Sequence, residues 1–258
     1  MLLQACTAAG ELGMSKAASL LFAMIAYAIF FATFLYLIAF VGNFPIVPVT
    51  VDRGPDAPLA GALLINVALI ALFGVQHSVM ARQGFKRAWT RIVPKQAERS
   101  VYVLAASAAL MVLFAFWRPI QGIVWSVEGT AALLLWGLFG LGWVIVLLST
   151  FLINHFELFG LQQAWLHSRG REAAPPQFRQ PLFYKLVRHP LYAGFFLAFW
   201  ATPVMSYGHL LLAFGMSAYM LVAISYEERD LVGLFGKDYE DYRARVGKLT
   251  PRLRQRSI

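Results

Sequence analysis

Between Pro181 and Gly194 the chain gathers two phenols, Tyr184 and Tyr192, two cations, Lys185 and Arg188, the imidazole of His189 and a proline, Pro190. Proline is tolerated in the first turn of a helix. Arg188 and His189 therefore stand at a helix entrance, beside backbone N–H groups without intrahelical partners. Such an entrance attracts anions and carboxylates. Tyr184 and Tyr192 lie about one turn to either side. Glu227 and Glu228 follow 35 and 36 residues after Tyr192, and then come Phe235-Gly236, Tyr239 and Tyr242. Two adjacent carboxylates at the end of an apolar span are unusual, because the helix dipole is negative there. A carboxylate beside aromatic faces suits a cation such as a sulfonium. Taken singly, Arg188, His189 and the tyrosines better suit anchoring in the headgroup zone, and the glutamates simple solvation at the membrane surface. The whole set, in this order, points to a binding site.

Two further constellations lie upstream. Gln76 and His77 stand near the end of one apolar run, and His155 and Glu157 directly follow another. His77 also suits inter-helix hydrogen bonding. His155 and Glu157 are two positions apart, so on one continuous helix they point about 200° apart. A shared catalytic pair needs the helix to end or bend between them. His77, His155 and His189 could offer imidazoles to zinc, but no ligand spacing supports a metal site. The glycines Gly137, Gly140 and Gly142 are in the wrong order for a dinucleotide loop and no strand precedes them, which leaves close helix packing and no Rossmann domain.

The elements that position these groups are membrane helices. Apolar residues make up 59% of the 258 and charged residues 14%, with mean hydropathy +0.63, against soluble averages of roughly 45–50% and 25%. A span needs about 20 apolar residues. Residues 17–42, 59–81, 100–117 and 129–154 supply four. From His189 to Tyr226 run 38 residues without a formal charge, about 57 Å as one helix, nearly twice the hydrocarbon thickness. Pro203, Ser206, Tyr207 and Gly208 supply a turn. The run reads as a hairpin of two short spans, about 189–205 and 209–226. Residues 227–250 alternate apolar and charged positions at helical spacing, as an amphipathic surface helix would. The expected architecture is an all-α integral membrane bundle of about six transmembrane segments. Residues 1–154 form a four-helix scaffold. Residues 155–258 supply a loop, a hairpin and a C-terminal helix, within a single structural unit.

Charge fixes the expected orientation. The net charge of +9 does not indicate nucleic acid, because 19 of the 22 Lys and Arg fall in the loop after span two, the loop after span four and the tail. Six spans put all three on one face, cytoplasmic with both termini by the positive-inside rule. A five-span chain would split them. The single cysteine, Cys6, excludes an internal disulfide, and the first apolar run is too long for a cleavable signal peptide.

The pattern Tyr184, Arg188-His189-Pro190, Tyr192, Gly194, Glu227-Glu228, Phe235-Gly236, Tyr239, Tyr242 and Val246 resembles the isoprenylcysteine carboxyl methyltransferase family of integral-membrane methyltransferases. The resemblance implies S-adenosylmethionine as cofactor, held between the terminal hairpin and the C-terminal segment. It places cofactor contacts on Pro176, Gln177, Phe178, Arg179, Tyr184, His189, Pro190, Leu191, Tyr192, Glu227 and Tyr239. The family's substrate-carboxylate arginine falls on Ala223, which argues against a prenylcysteine acid as substrate. Gln76-His77-Ser78 with Arg82, then Phe85-Lys86, Trp89, Arg91, Glu98-Arg99-Ser100 and Tyr102 look like the NnrU-type branch. Asn154-His155-Phe156-Glu157-Leu158-Phe159-Gly160 with Gln162 looks like the bacterial methanethiol S-methyltransferases within it. The implied reaction is methyl transfer to a small volatile thiol in the bacterial inner membrane. His155 is the first candidate base and His77 the second, with Glu157 and Arg188 as further catalytic candidates. The branch also admits a membrane factor of nitrogen-oxide metabolism, or a methyltransferase for another small thiol or a lipid.

Overall fold

In a computed structural model the protein is described over residues 14–173, 175 and 177–252. Cys6, Pro176 and the last two cations of the tail lie outside them. Four helices match the upstream spans: α1 (Lys16–Val41), α2 (Leu59–Ala81), α4 (Lys95–Phe116) and α5 (Gly129–Ile153). Between α2 and α4 lies the short α3 (Gln83–Trp89). Helix α4 starts five residues before the apolar run, because Pro94 sets its entrance and Glu98 favours its first turn. Large aliphatic side chains such as Leu64 and Leu133 remain exposed around the bundle, as lipid-facing positions do. The interior is filled by aromatic and aliphatic side chains, among them Phe40, Leu113, Trp117 and Phe199 in one cluster.

The stretch 155–188 is more ordered than a polar loop. It holds α6 (His155–Leu158), α7 (Leu161–Ser168) and a 3-10 turn (Leu182–Lys185). The hairpin also departs from two equal short spans. Helix α8 (Pro190–Trp200) has 11 residues, about 16 Å of helix, half of a roughly 30 Å hydrocarbon layer. Extended chain completes that crossing, ending in a strand, β2 (Val204–Ser206), that pairs antiparallel with β1 (Ile123–Ser126). Non-helical backbone at membrane depth must find internal partners. Here the Trp125 indole donates to the Thr202 carbonyl (3.0 Å), the Val127 amide to Pro203 (2.9 Å) and the His209 imidazole to Phe199 (2.9 Å). Among the described residues five helices are thus long and apolar enough to span, and the short α8 is a sixth apolar helix.

The return arm is longer than expected. Helix α9 (Tyr207–Phe235) runs through Glu227 and Glu228 without interruption, and the separate α10 (Lys237–Arg245) follows. The amphipathic C-terminal stretch is therefore two pieces. Gly236, at φ 55°, makes the break, a backbone angle that glycine adopts at little cost.

Helices α5 and α8 pack backbone to backbone. A Cβ on Gly142 would lie 2.7 Å from the Ala198 amide nitrogen, and one on Gly194 would lie 2.7 Å from the Gly142 carbonyl. Gly137 and Gly140 meet nothing within 4 Å, so of the three glycines only Gly142 serves this packing. Overpacking typically costs about 1–3 kcal/mol. Gly142→Leu is expected to lower the unfolding temperature of the detergent-solubilised protein. Gly137→Leu is expected to leave it unchanged, and equal effects would contradict this packing.

The polar connections sort to two ends of the bundle. At one end the Ser206 hydroxyl donates to Asp52, and the Asn66 amide to the Arg118 carbonyl (2.7 Å). At the other, the Lys16 ammonium approaches Gly170, Arg82 meets Asp230 at 3.4 Å, and the Arg99 guanidinium donates to Leu158 (2.6 Å). The cation-rich segments thus share one end.

Candidate active site

At the cation-rich end the helices enclose a cavity of about 890 Å³. Its floor is apolar, with Phe34, Leu37, Phe73 and Phe199, and its mouth is polar, with Arg82, Tyr184, Tyr192 and Glu227. Sites that bury small ligands run roughly 300–1,000 Å³.

The first wall comes from α1, α5 and α6. Asn154 takes an extended conformation and ends α5, and its side-chain oxygen accepts the Glu157 amide to start α6. This break turns His155 inward, where it is 4% exposed. Its ring stacks on Phe151 with centroids 4.1 Å apart and planes 4° from parallel. Nδ1 lies 2.8 Å from the Thr150 hydroxyl and Nε2 2.8 Å from the Tyr27 hydroxyl. Burial lowers its pKa from the ordinary 6.5, so at neutral pH the ring is uncharged and able to accept a proton. The same break sends Glu157 outward. Its carboxylate accepts from the Asn154 amide at 2.9 Å, and Glu157 does not line the cavity. The helix bends as a shared His155–Glu157 pair would require, yet the two side chains diverge.

The second wall is α2 with α4. His77 stacks on Phe73, and its Nε2 lies 2.8 Å from the Tyr102 hydroxyl. Its Nδ1 is buried without a hydrogen-bond partner.

The third wall is α8 with α9. Pro190 occupies the first turn of α8, which leaves His189 at the entrance. Adjacent residues on one helix diverge by about 100°, so the two glutamates separate. Glu227 lines the cavity, with the Tyr192 phenol beside it. Glu228 turns to the helix entrance, where Oε1 accepts from Arg188 Nε (2.8 Å), Arg188 Nη2 (2.8 Å) and His189 Nε2 (3.0 Å). The other arm of the Arg188 guanidinium donates to the Val246 and Arg243 carbonyls. The Arg188 and His189 amides donate to Gly247 and Lys248. All three nitrogens of the Arg188 guanidinium are thereby engaged, and the side chain ties the tail to the hairpin. Glu228 was not distinguished by sequence reasoning. Its signal was the need of Arg188, at an apolar helix entrance, for a counter-charge.

His77, His155, Tyr184, Arg188, His189, Leu191, Tyr192 and Glu227 thus surround one cavity. Phe178 and Tyr239 do not line it. Phe178 packs on Phe235, Tyr239 and Tyr242 under the tail, with the Tyr239 hydroxyl buried and unpaired. Gln177 and Arg179 are exposed and bonded to each other at 2.9 Å. Ala223, 6% exposed, lines the cavity one turn before Glu227. The three histidines stand on separate walls, and among the described residues no group of three His, Cys, Asp or Glu could hold a metal ion.

Fold and cavity together define the class, an all-α integral membrane protein with a large cavity at its cation-rich end. The chain is 52% identical over 239 residues to methanethiol S-methyltransferase 2 of Bradyrhizobium diazoefficiens, covering 93% of this chain and 92% of that relative. It is 49% identical over 239 residues to the methanethiol S-methyltransferase of Mycobacterium tuberculosis, covering 92% and 98%. A more distant relative is the Nurim homolog of Drosophila pseudoobscura, 32% identical over 178 residues, covering 66% and 70%. No family model and no solved structure matches. The chain belongs to the methanethiol S-methyltransferase family and is a methyltransferase.

Proposed function

We propose that the protein methylates methanethiol to dimethyl sulfide with S-adenosylmethionine as donor, in this cavity, at the cytoplasmic face of a bacterial inner membrane. The observation that carries the reading is the junction of a polar mouth holding Glu227, Tyr184 and Tyr192 with an apolar floor flanked by two imidazoles. The positive-inside rule supports a cytoplasmic position for the cation-rich end.

The mouth suits the donor. The Tyr184 hydroxyl is buried without a partner although Tyr184 lines the cavity, and an unpaired buried polar group invites a ligand. Burial and the nearby Glu227 carboxylate push its phenol above the ordinary range, so it remains a donor at neutral pH. When bound, S-adenosylmethionine supplies a methyl carbon on a positively charged sulfur. Glu227 attracts that charge, and the Tyr184 and Tyr192 rings offer it electron-rich faces. His189 and Leu191 complete the wall, positioned by Glu228 and Pro190.

The floor suits a small apolar acceptor, and Ala223 puts no cation at the position one turn before Glu227. A thiolate is the competent nucleophile, and an alkanethiol with a pKa of about 8.5 or more is mostly protonated at neutral pH. His155, neutral and held rigidly, takes that proton, with His77 as the second candidate. Alignment of the two reactants contributes roughly 7–11 kcal/mol to lowering the barrier. Purified protein in lipid nanodiscs, given methanethiol and S-adenosylmethionine, is expected to release dimethyl sulfide into the headspace. A protein that binds the donor and releases no sulfide would contradict the acceptor assignment.

Glu227→Ala is expected to weaken donor binding by roughly 10- to 150-fold, the loss of one charge-assisted contact. Isothermal titration checks it, and unaltered affinity would remove Glu227 from the donor site.

A further inference from the structure

S-adenosylmethionine carries an adenosine, a sulfonium and an α-carboxylate. Glu227 and the phenols suit the sulfonium, and none of them suits the carboxylate. A carboxylate taken out of water needs a paired charge and hydrogen-bond donors. Four arginines line the cavity: Arg82, Arg99, Arg188 and Arg229. Three of them are already matched or open to solvent. Arg188 is paired with Glu228 and engaged through all its nitrogens. Arg82 donates from Nε to the Ser78 carbonyl at 3.1 Å and meets Asp230 at 3.4 Å. Arg229 is exposed and lies over the Tyr226 ring, 5.6 Å from its centroid.

Arg99 differs. It is half-buried near the start of α4. Its guanidinium lies over the Tyr102 ring, 4.9 Å from the centroid, and its Nε donates to the Leu158 carbonyl at 2.6 Å. These two anchors fix the plane of the group. The turn after α6 is pressed onto α4 at the same place, since a Cβ on Gly160 would lie 2.5 Å from the Ser100 hydroxyl. Among the described residues both Nη groups of Arg99 lack a hydrogen-bond partner, and no carboxylate pairs with the side chain. Two such groups on one guanidinium edge can take a carboxylate in parallel bonds. The Glu227 carboxylate and the Arg99 cation both act on the Tyr102 phenol. Opposite charges thus reach one region of the cavity, as a ligand with a carboxylate one short alkyl arm from a sulfonium requires.

From this arrangement we infer that Arg99 holds the α-carboxylate of the donor through its two Nη groups, with Tyr102 and the Leu158 carbonyl positioning it. The inference rests on the reading of S-adenosylmethionine as the donor in this cavity. It gives the stretch Glu98-Arg99-Ser100 with Tyr102 a role: Arg99 binds, Ser100 receives the Gly160 turn and Tyr102 supports the guanidinium.

Decarboxylated S-adenosylmethionine keeps the adenosine, the sulfonium and the amine and lacks only the carboxylate. Isothermal titration of the full chain in nanodiscs compares the two donors on wild type and on Arg99→Gln. Wild type should bind the decarboxylated donor roughly 10- to 150-fold more weakly, the scale for losing a charge-assisted contact. Arg99→Gln should weaken S-adenosylmethionine by a similar factor and bind the two donors alike. The variant also gives up its bond to Leu158, so any structural loss falls on both donors and leaves their ratio readable. A wild type that binds the two donors equally would overturn the assignment. So would an Arg99→Gln variant that keeps the wild-type preference. A wild type that binds neither donor would instead refute the donor reading itself.

Discussion

Turnover of methanethiol is expected to fall by about 10²–10⁴-fold when His155 is replaced by alanine, the contribution typical of a positioned acid–base group. Donor affinity should change little, because His155 stands on the α1–α5 wall while the proposed donor contacts stand on α8 and α9. The alanine variant also leaves the half-buried Tyr27 and buried Thr150 hydroxyls without their shared partner, so some loss of stability accompanies it. His155→Gln separates the two effects: an amide can still hydrogen-bond, but it cannot carry a proton. Both variants should be slow, and only alanine should be markedly less stable. Equal turnover in His155→Gln and wild type would transfer the role to His77, whose Nδ1 is unpaired. The pH profile follows from the same ring. Its folded pKa lies below the ordinary 6.5, so the acid limb of kcat/KM should lie below pH 6.5. The linked stability is fully present above 6.5. It is lost as pH falls from 6.5 through the folded pKa, because the unfolded chain takes up the proton first.

Glu228→Ala is expected to cost the fold about 3–5 kcal/mol, the scale for removing one partner of a buried ion pair. Glu228 is 6% exposed and accepts all three bonds described above on one oxygen. Without it the Arg188 guanidinium is buried with carbonyl partners alone, and the tail residues 246–248 lose the group that orients their anchor. The double variant Arg188→Met with Glu228→Leu should recover much of the stability, since apolar residues of similar size often replace a buried pair at little cost. Chemical denaturation of the single and double variants measures the coupling. A single-variant loss below about 1 kcal/mol would place the pair among weak surface interactions.

Much of this architecture was legible in the sequence because membrane helices are long, uniform signals. Four spans lie close to the apolar runs that announce them, and Pro190 opens α8 as its φ restriction demands. The hairpin was legible from length alone, but its asymmetry was not. Nothing in a run of apolar residues says that Trp125 and His209 will satisfy the carbonyls of an extended crossing. The two glutamates were found as a pair and not as individuals, because which one faces the cavity depends on how α9 is rotated against α8. Glu157 misled for a related reason, since the bend at Asn154 was foreseeable and its direction was not. Tyr27 gave no signal at all: a lone tyrosine in an apolar span becomes informative only when its hydroxyl is found 2.8 Å from His155. Ala223 was informative through what the position lacks.

In the proposed function one cavity brings a methyl donor and methanethiol together. Incubation of the purified protein with S-adenosylmethionine carrying a deuterated methyl group, followed by mass analysis of the headspace, tests it most directly. The expected product is dimethyl sulfide bearing one deuterated methyl group, released in equal amount with S-adenosylhomocysteine. Absence of labelled sulfide, with the protein folded and the donor bound, would contradict it.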